Sequence, residues 1–187
     1  MNHYIADLHI GHENVIKHDG RPFKDAAQMA QEIVRRWNNA VSNNDDVYIL
    51  GDVAWKNPAG LEALSQLAGR KYLILGNHDK PSQEMTAYFE WIKDIAVVED
   101  SGTEVVLCHY PIAHWRNQYR GAVQLYGHIH NTKDHTAFER YREICSELEI
   151  PFACYNVGCM MPYMDYTPRT LDEIRNGGCE TLRQIQV

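Results

Sequence analysis

Five short clusters carry the residue types that could do chemistry, and each follows an apolar run: "ADLHIGH", "ILGDVAW", "ILGNHDK", "VVLCHYP" and "LYGHIHN". In the first, Asp7 and His9 are two apart at a strand end, which on an extended backbone sends both side chains to one side, where they could grip one divalent metal. A lone D-x-H also fits a surface Asp beside a capping His, and His12, one step along, fits a supporting or an exposed position. In the second, Gly51 lets the chain turn so that Asp52 leans over the sheet edge, although a turn Asp reads the same way. The third repeats the strand-then-Gly device with an amide, and the Asn77 carbonyl oxygen suits a hard or borderline ion without adding negative charge. In the fourth, His109 ends a strand just before Pro111. The fifth places His128 and His130 after Gly127, two residues or about 6.6 Å apart on an extended chain. Converging Nε2 arms would let each serve a different ion of a pair roughly 3.5–4 Å apart.

These clusters need elements to hold them, and the pattern supplies strand-like runs at 4–6, 47–50, 71–75, 104–108, 123–126 and 152–157. Between them lie amphipathic segments. Residues 25–41 begin at Asp25 as an N-cap and put Met29, Ile33, Val34, Trp37 and Val41 on one face. A second helix starts at Asn57-Pro58 and carries Leu61, Leu64 and Leu67 before Gly69, and 81–93, 134–149 and 170–176 read as helical too. Strands alternating with helices imply an α/β fold, in which ligand sites gather at the carboxyl ends of strands. No linker, repeat or low-complexity tract divides the chain, so residues 1–187 are expected to form one domain.

Composition narrows the function. No apolar run approaches the ~20 residues of a membrane span, and the N-terminus carries no secretory pattern, which predicts a cytoplasmic protein. Cys108, Cys145, Cys154, Cys159 and Cys179 are odd in number and form no C-x-x-C pair, so free buried thiols are expected. A net charge of −7 disfavours long nucleic acid, whose non-specific binding runs on Lys and Arg.

D-x-H, G-D, G-N-H-D, a lone H and G-H-x-H, running from Asp7 to His130, together resemble the calcineurin-like metallophosphoesterases. The flanks "GHENVIKH", "RPF", "NVG" and "DYTPRTLDEI" look like a small bacterial and phage-associated branch. The resemblance implies two packed mixed β-sheets flanked by helices, with one divalent ion held by Asp7, His9, Asp52 and His130. It implies a second ion held by Asp52, Asn77, His109 and His128, with Asp52 as the bridge. Manganese is the leading candidate, with iron, zinc or nickel also suited to these donors.

Such a pair would turn water into a nucleophilic hydroxide for in-line attack on a phosphate mono- or diester, nucleotides included. The neutral Asn77 leaves the centre a residual positive charge that an Asp would cancel. His78 is the candidate general acid for the leaving group; Asp79 either orients its ring or caps the helix that Pro81 begins. Arg21 and Arg116 are candidates for a substrate phosphate, although these residues, like Tyr119 and Arg120, also fit a solvated surface. The alternative is an inactive scaffold of the same fold that binds a protein partner. A zinc protease is excluded because "HEN" at 12–14 is not followed by His at 16. The "VAW" after Asp52, in place of the V-D-R-G of Ser/Thr protein phosphatases, argues against a phosphoprotein substrate. The sequence leaves the oligomeric state open.

Overall fold

The structure, a computed structural model, describes residues 1–55 and 58–177. In chain order the elements are β1 (Asn2–Ile5), α1 (Glu13–Asp19), α2 (Ala26–Ala40), β2 (Asp46–Leu50), α3 (Pro58–Ser65), β3 (Arg70–Ile74) and α4 (Gln83–Thr86). There follow β4 (Trp91–Lys93), β5 (Ile95–Asp100), β6 (Thr103–Cys108), β7 (Val123–Tyr126), α5 (Lys133–Glu147) and β8 (Cys154–Asn156). Residues 171–177 are helical as well.

The first sheet, β1-β2-β3-β4, is wholly parallel, and the second, β5-β6-β7-β8, is mixed because β5 runs antiparallel to β6. Register brings the first sheet's strand ends level: Ile5 pairs with Ile49, Ile49 with Leu73, and Leu50 with Ile74. Asp7, Asp52 and Asn77 therefore leave from one edge. Alternation along the second sheet splits its side chains between two layers. Val105, Leu107, Val123 and Leu125 join the main core with Ile5, Ile49 and Leu73. Val106, Tyr126 and Cys154 face outward into a smaller cluster with Trp115, against which Phe138 of α5 packs. The sheets are tied where Ala6 bridges Gly158, with the Ala6 N–H donating to Val157 O and the Cys159 N–H to Ala6 O. That seam delivers Asp7 beside the ends of β6 and β7.

Helix α2 forms as its pattern predicts. The Asp25 carboxylate accepts from the Gln28 N–H at 2.7 Å, and Met29, Ile33 and Trp37 are buried. The Asn57 cap expected for α3 lies outside the described residues, as does Cys179; the other four cysteines are free and buried. The helix expected over 81–93 is corrected. Ser82 caps the single turn α4, and the chain then turns extended so that Trp91 pairs with Tyr72 in the sheet. Aromatic packing decides this: Tyr72 stacks on the Tyr48 ring at 4.9 Å and meets a tilted Trp91 at 5.1 Å, and cross-strand aromatic pairs outweigh a helical pattern this short. The adjoining β5 and the short α1 were not foreseen either.

Candidate metal centre

All seven expected ligands converge at the common edge of the two sheets, but not by strand alternation. Asp7, His9, Asp52, His128 and His130 have φ of 56°, 48°, 53°, 70° and 47°, the left-handed region. The extended backbone assumed for D-x-H, with its same-side argument, and for G-H-x-H is thus corrected: tight left-handed turns aim these side chains. Such turns cost of order 1–3 kcal/mol each where non-glycine residues adopt them, and they concentrate at functional sites.

The donors form two lobes. In the sheltered lobe, His9 Nε2 faces His130 Nε2 at 3.3 Å, and His130 Nε2 lies 3.7 Å from Asp7 Oδ1. Asp7 is fully buried, and its carboxylate accepts from the His128 N–H. In the open lobe, Asn77 Oδ1 sits 3.1 Å from His109 Nε2 and 2.8 Å from His128 Nδ1. His128 thus turns Nδ1 inward, where Nε2 was expected. Asp52 Oδ2 lies 3.6 Å from His9 Nε2 and 3.7 Å from His109 Nε2, between the lobes. Two glycines permit this closeness. A Cβ at Gly76 would stand 2.3 Å from Asp52 Oδ1, and one at Gly51, whose φ is 87°, would stand 2.3 Å from His109 Nδ1.

Backing groups fix the rings. His109 Nδ1 meets Leu50 O at 2.7 Å, which in the neutral ring leaves Nε2 an acceptor pointing at other acceptors. His130 Nδ1 meets Asp19 Oδ1 at 2.8 Å, and Asp19 is held in turn by Arg21. Asp19 went unnoticed in the sequence; its signal was an acid two residues before the buried arginine of "DGRPF".

A cation fits these donors. Asp7, His9 and His130, and likewise Asp7, Asp52 and His109, offer ligand atoms that lie within 4.8 Å of one another. Burial pushes Asp7 up to about 6, against the pull of His130 and His109 and with a further push from Asp52. Burial, with Arg21 and the neighbouring imidazoles, pulls His9 down to about 2, so its ring stays neutral and free to donate a lone pair. His130 is raised: burial works against its charge, but the Asp19 hydrogen bond and the Asp7 charge outweigh it. An ion among them would relieve the crowded carboxylates and use the facing lone pairs.

Three expectations about neighbours change. Arg21 is buried and does not reach toward a substrate; its guanidinium donates to Asp7 O and Leu8 O, both at 2.9 Å, and to Asp19. Arg116 is exposed and lies 3.6 Å from Glu104, near the start of β6, whereas His109 follows its end about 16 Å away. The Asp79 carboxylate neither orients the His78 ring nor caps a helix; it accepts from the Gly76, Asp52 and Val53 N–H groups and so braces the two Gly loops. His78 is exposed, with its N–H on Asp52 Oδ1 and its ring centroid 5.6 Å from that of His9. His12 stacks on Trp55 at 4.1 Å.

The sequence pattern of the calcineurin-like phosphoesterase superfamily domain matches residues 3–170. An uncharacterized protein of Methanocaldococcus jannaschii is 34% identical over 129 residues, 67% of each chain. The gene 66 protein of Mycobacterium phage L5 is 30% identical over 163 residues, spanning 68% of this chain and 76% of that protein. Among solved structures, a protein of unknown function from Aquifex aeolicus superposes with a TM-score of 0.72 at 26% identity, covering 94% of this chain and 98% of that one.

Proposed function

Because the chain belongs to the calcineurin-like phosphoesterase superfamily, we propose that its two lobes hold two divalent cations and that it hydrolyses small phosphate mono- or diesters, nucleotides among them. The observation that carries this reading is the facing of unshared donors around Asp52, with His9 and His130 on one side and Asn77, His109 and His128 on the other. Bound there, the ions would supply Lewis acidity and an activated water, and manganese is the first to try given oxygen and imidazole donors.

The chain's own residues supply the rest. Asp52 joins the lobes and is steadied by the His78 N–H at 2.9 Å, so the loop that carries the acid also holds the bridge. The His78 imidazole, exposed beside the sheltered lobe, is the group that would protonate the departing ester oxygen. The neutral amide of Asn77 keeps the open lobe from repelling a phosphate. Trp55 and Tyr110 are both exposed, Trp55 near His78 and Tyr110 against His128, and they offer flat apolar faces to a planar group on the ester.

The test is hydrolysis of bis-nitrophenyl phosphate by protein stripped with chelator and reloaded with Mn²⁺, alongside elemental analysis. The expected outcome is activity that returns with two ions per chain. A chain that binds no divalent ion, or binds two and hydrolyses no phosphate ester across mono-, di- and cyclic nucleotides, refutes the proposal.

A further inference from the structure

The two lobes are unequally backed, which on the two-ion reading above sets their ion affinities apart. Asp19 ends α1 and is 111 residues from His130 in the chain, yet its Oδ1 meets His130 Nδ1 at 2.8 Å. Its Oδ2 accepts from Arg21 Nε at 2.9 Å and lies 2.8 Å from a terminal guanidinium nitrogen. The other face of the same guanidinium grips the backbone carbonyls of Asp7 and Leu8. The Arg21 side chain is fully shielded and that of Asp19 is 5% exposed, so this is a dry, forked ion pair with both carboxylate oxygens engaged. Among the described residues, no other candidate ligand has its rear nitrogen hydrogen-bonded to a carboxylate; His109 leans on the neutral Leu50 carbonyl.

We propose that Asp19 is a positioning residue that fixes the His130 ring and strengthens it as a donor, raising cation affinity selectively in the sheltered lobe. Arg21 makes this a unit, since one guanidinium sets both Asp19 and the carbonyls of the Asp7-Leu8 loop. A carboxylate behind a ligating imidazole orients it and increases its basicity, and removing such a partner typically weakens metal binding about 10–100-fold. A neutral carbonyl in the same place does less, which is why the effect should be confined to one lobe.

The experiment is a Mn²⁺ titration of metal-free protein, following free Mn²⁺ by electron paramagnetic resonance, on the wild type, Asp19→Asn and Asp19→Glu. Two classes of site are expected in the wild type. Asp19→Asn should weaken one class about 10–100-fold and leave the other nearly unchanged, and Asp19→Glu should recover part of the loss. The metal-free Asp19→Asn protein should also lose a downfield imidazole N–H proton resonance that the wild type shows. Unchanged affinity in both classes overturns the inference, as does equal weakening of both together with a lowered melting temperature of the metal-free protein. A wild type that takes up no Mn²⁺ refutes the two-ion reading itself, and this inference with it, so the two failures are told apart by which protein fails.

Discussion

The lobe made by Asp7, His9 and His130 is shielded and backed by a buried ion pair, whereas the lobe of Asn77, His109 and His128 is exposed at Asn77 and backed by a backbone carbonyl. Two ways of organising a site stand side by side. Charged donors out of water need fixed partners, and the Asp19–Arg21 fork gives the sheltered lobe its own. The open lobe is organised by close backbone approach instead, which Gly51 and Gly76 permit, and it presents a neutral amide at the surface. On the proposed reading this is a division of labour, in which the shielded lobe would retain an ion and the open lobe would be the one a phosphate reaches.

The largest expected effect comes from erasing what the lobes share. Asp52→Asn should lower phosphoesterase activity about 10⁴-fold and leave fewer than two ions per chain by elemental analysis. Two ions still bound would break the idea that Asp52 joins the lobes. Next in size, His78→Ala should keep both ions and lose roughly 10²-fold or more on alkyl esters, with little loss on nitrophenyl esters, whose leaving group needs no proton. Equal losses on the two ester types would remove the acid from the lip of the site.

Gly76→Ala probes the close approach, since its Cβ would collide with Asp52. It should destabilise the metal-free protein by about 1–3 kcal/mol, seen as a lowered thermal midpoint, and weaken ion binding through the displaced carboxylate. A midpoint equal to that of the wild type would show that the loop yields easily and that the approach is not tight. The smallest effect is expected outside both lobes. Arg116→Ala, beside Glu104, should change KM for any phosphate ester by no more than about twofold. A tenfold rise would return this arginine to the substrate.

Much of the fold was legible because β1 and β2 are buried along nearly their whole length and, with the buried end of β3, read as apolar runs stopped by glycine or a polar cluster. Helix α2 was legible for a related reason, a capping acid and an apolar stripe at helical spacing. The segment 81–93 was not. Its mixture of Phe, Trp, Tyr and Glu suits either state, and the choice fell to Tyr48 and Tyr72, distant in sequence, whose stacked rings pack against a tilted Trp91. The arginines failed as indicators for the same reason: a guanidinium beside "PF" looks the same in sequence whether it meets solvent or two carbonyls of another loop.

The residues alone determined the chemical inventory: which acids, amide and imidazoles stand after which apolar runs, and that each run ends at a point where the chain can turn. Those are local properties, set by residue type and by spacings of a few positions. The tertiary structure decided the aim of each side chain, through left-handed turns at Asp7, His9, Asp52, His128 and His130, and through partners supplied from far away. Asp79 bracing the Asp52 loop spans 27 residues and Asp19 behind His130 spans 111. Contacts of that reach form only once two sheets and their connecting loops are packed, because a hydrogen bond is specified by distance in space, on which residue spacing at that range has no hold.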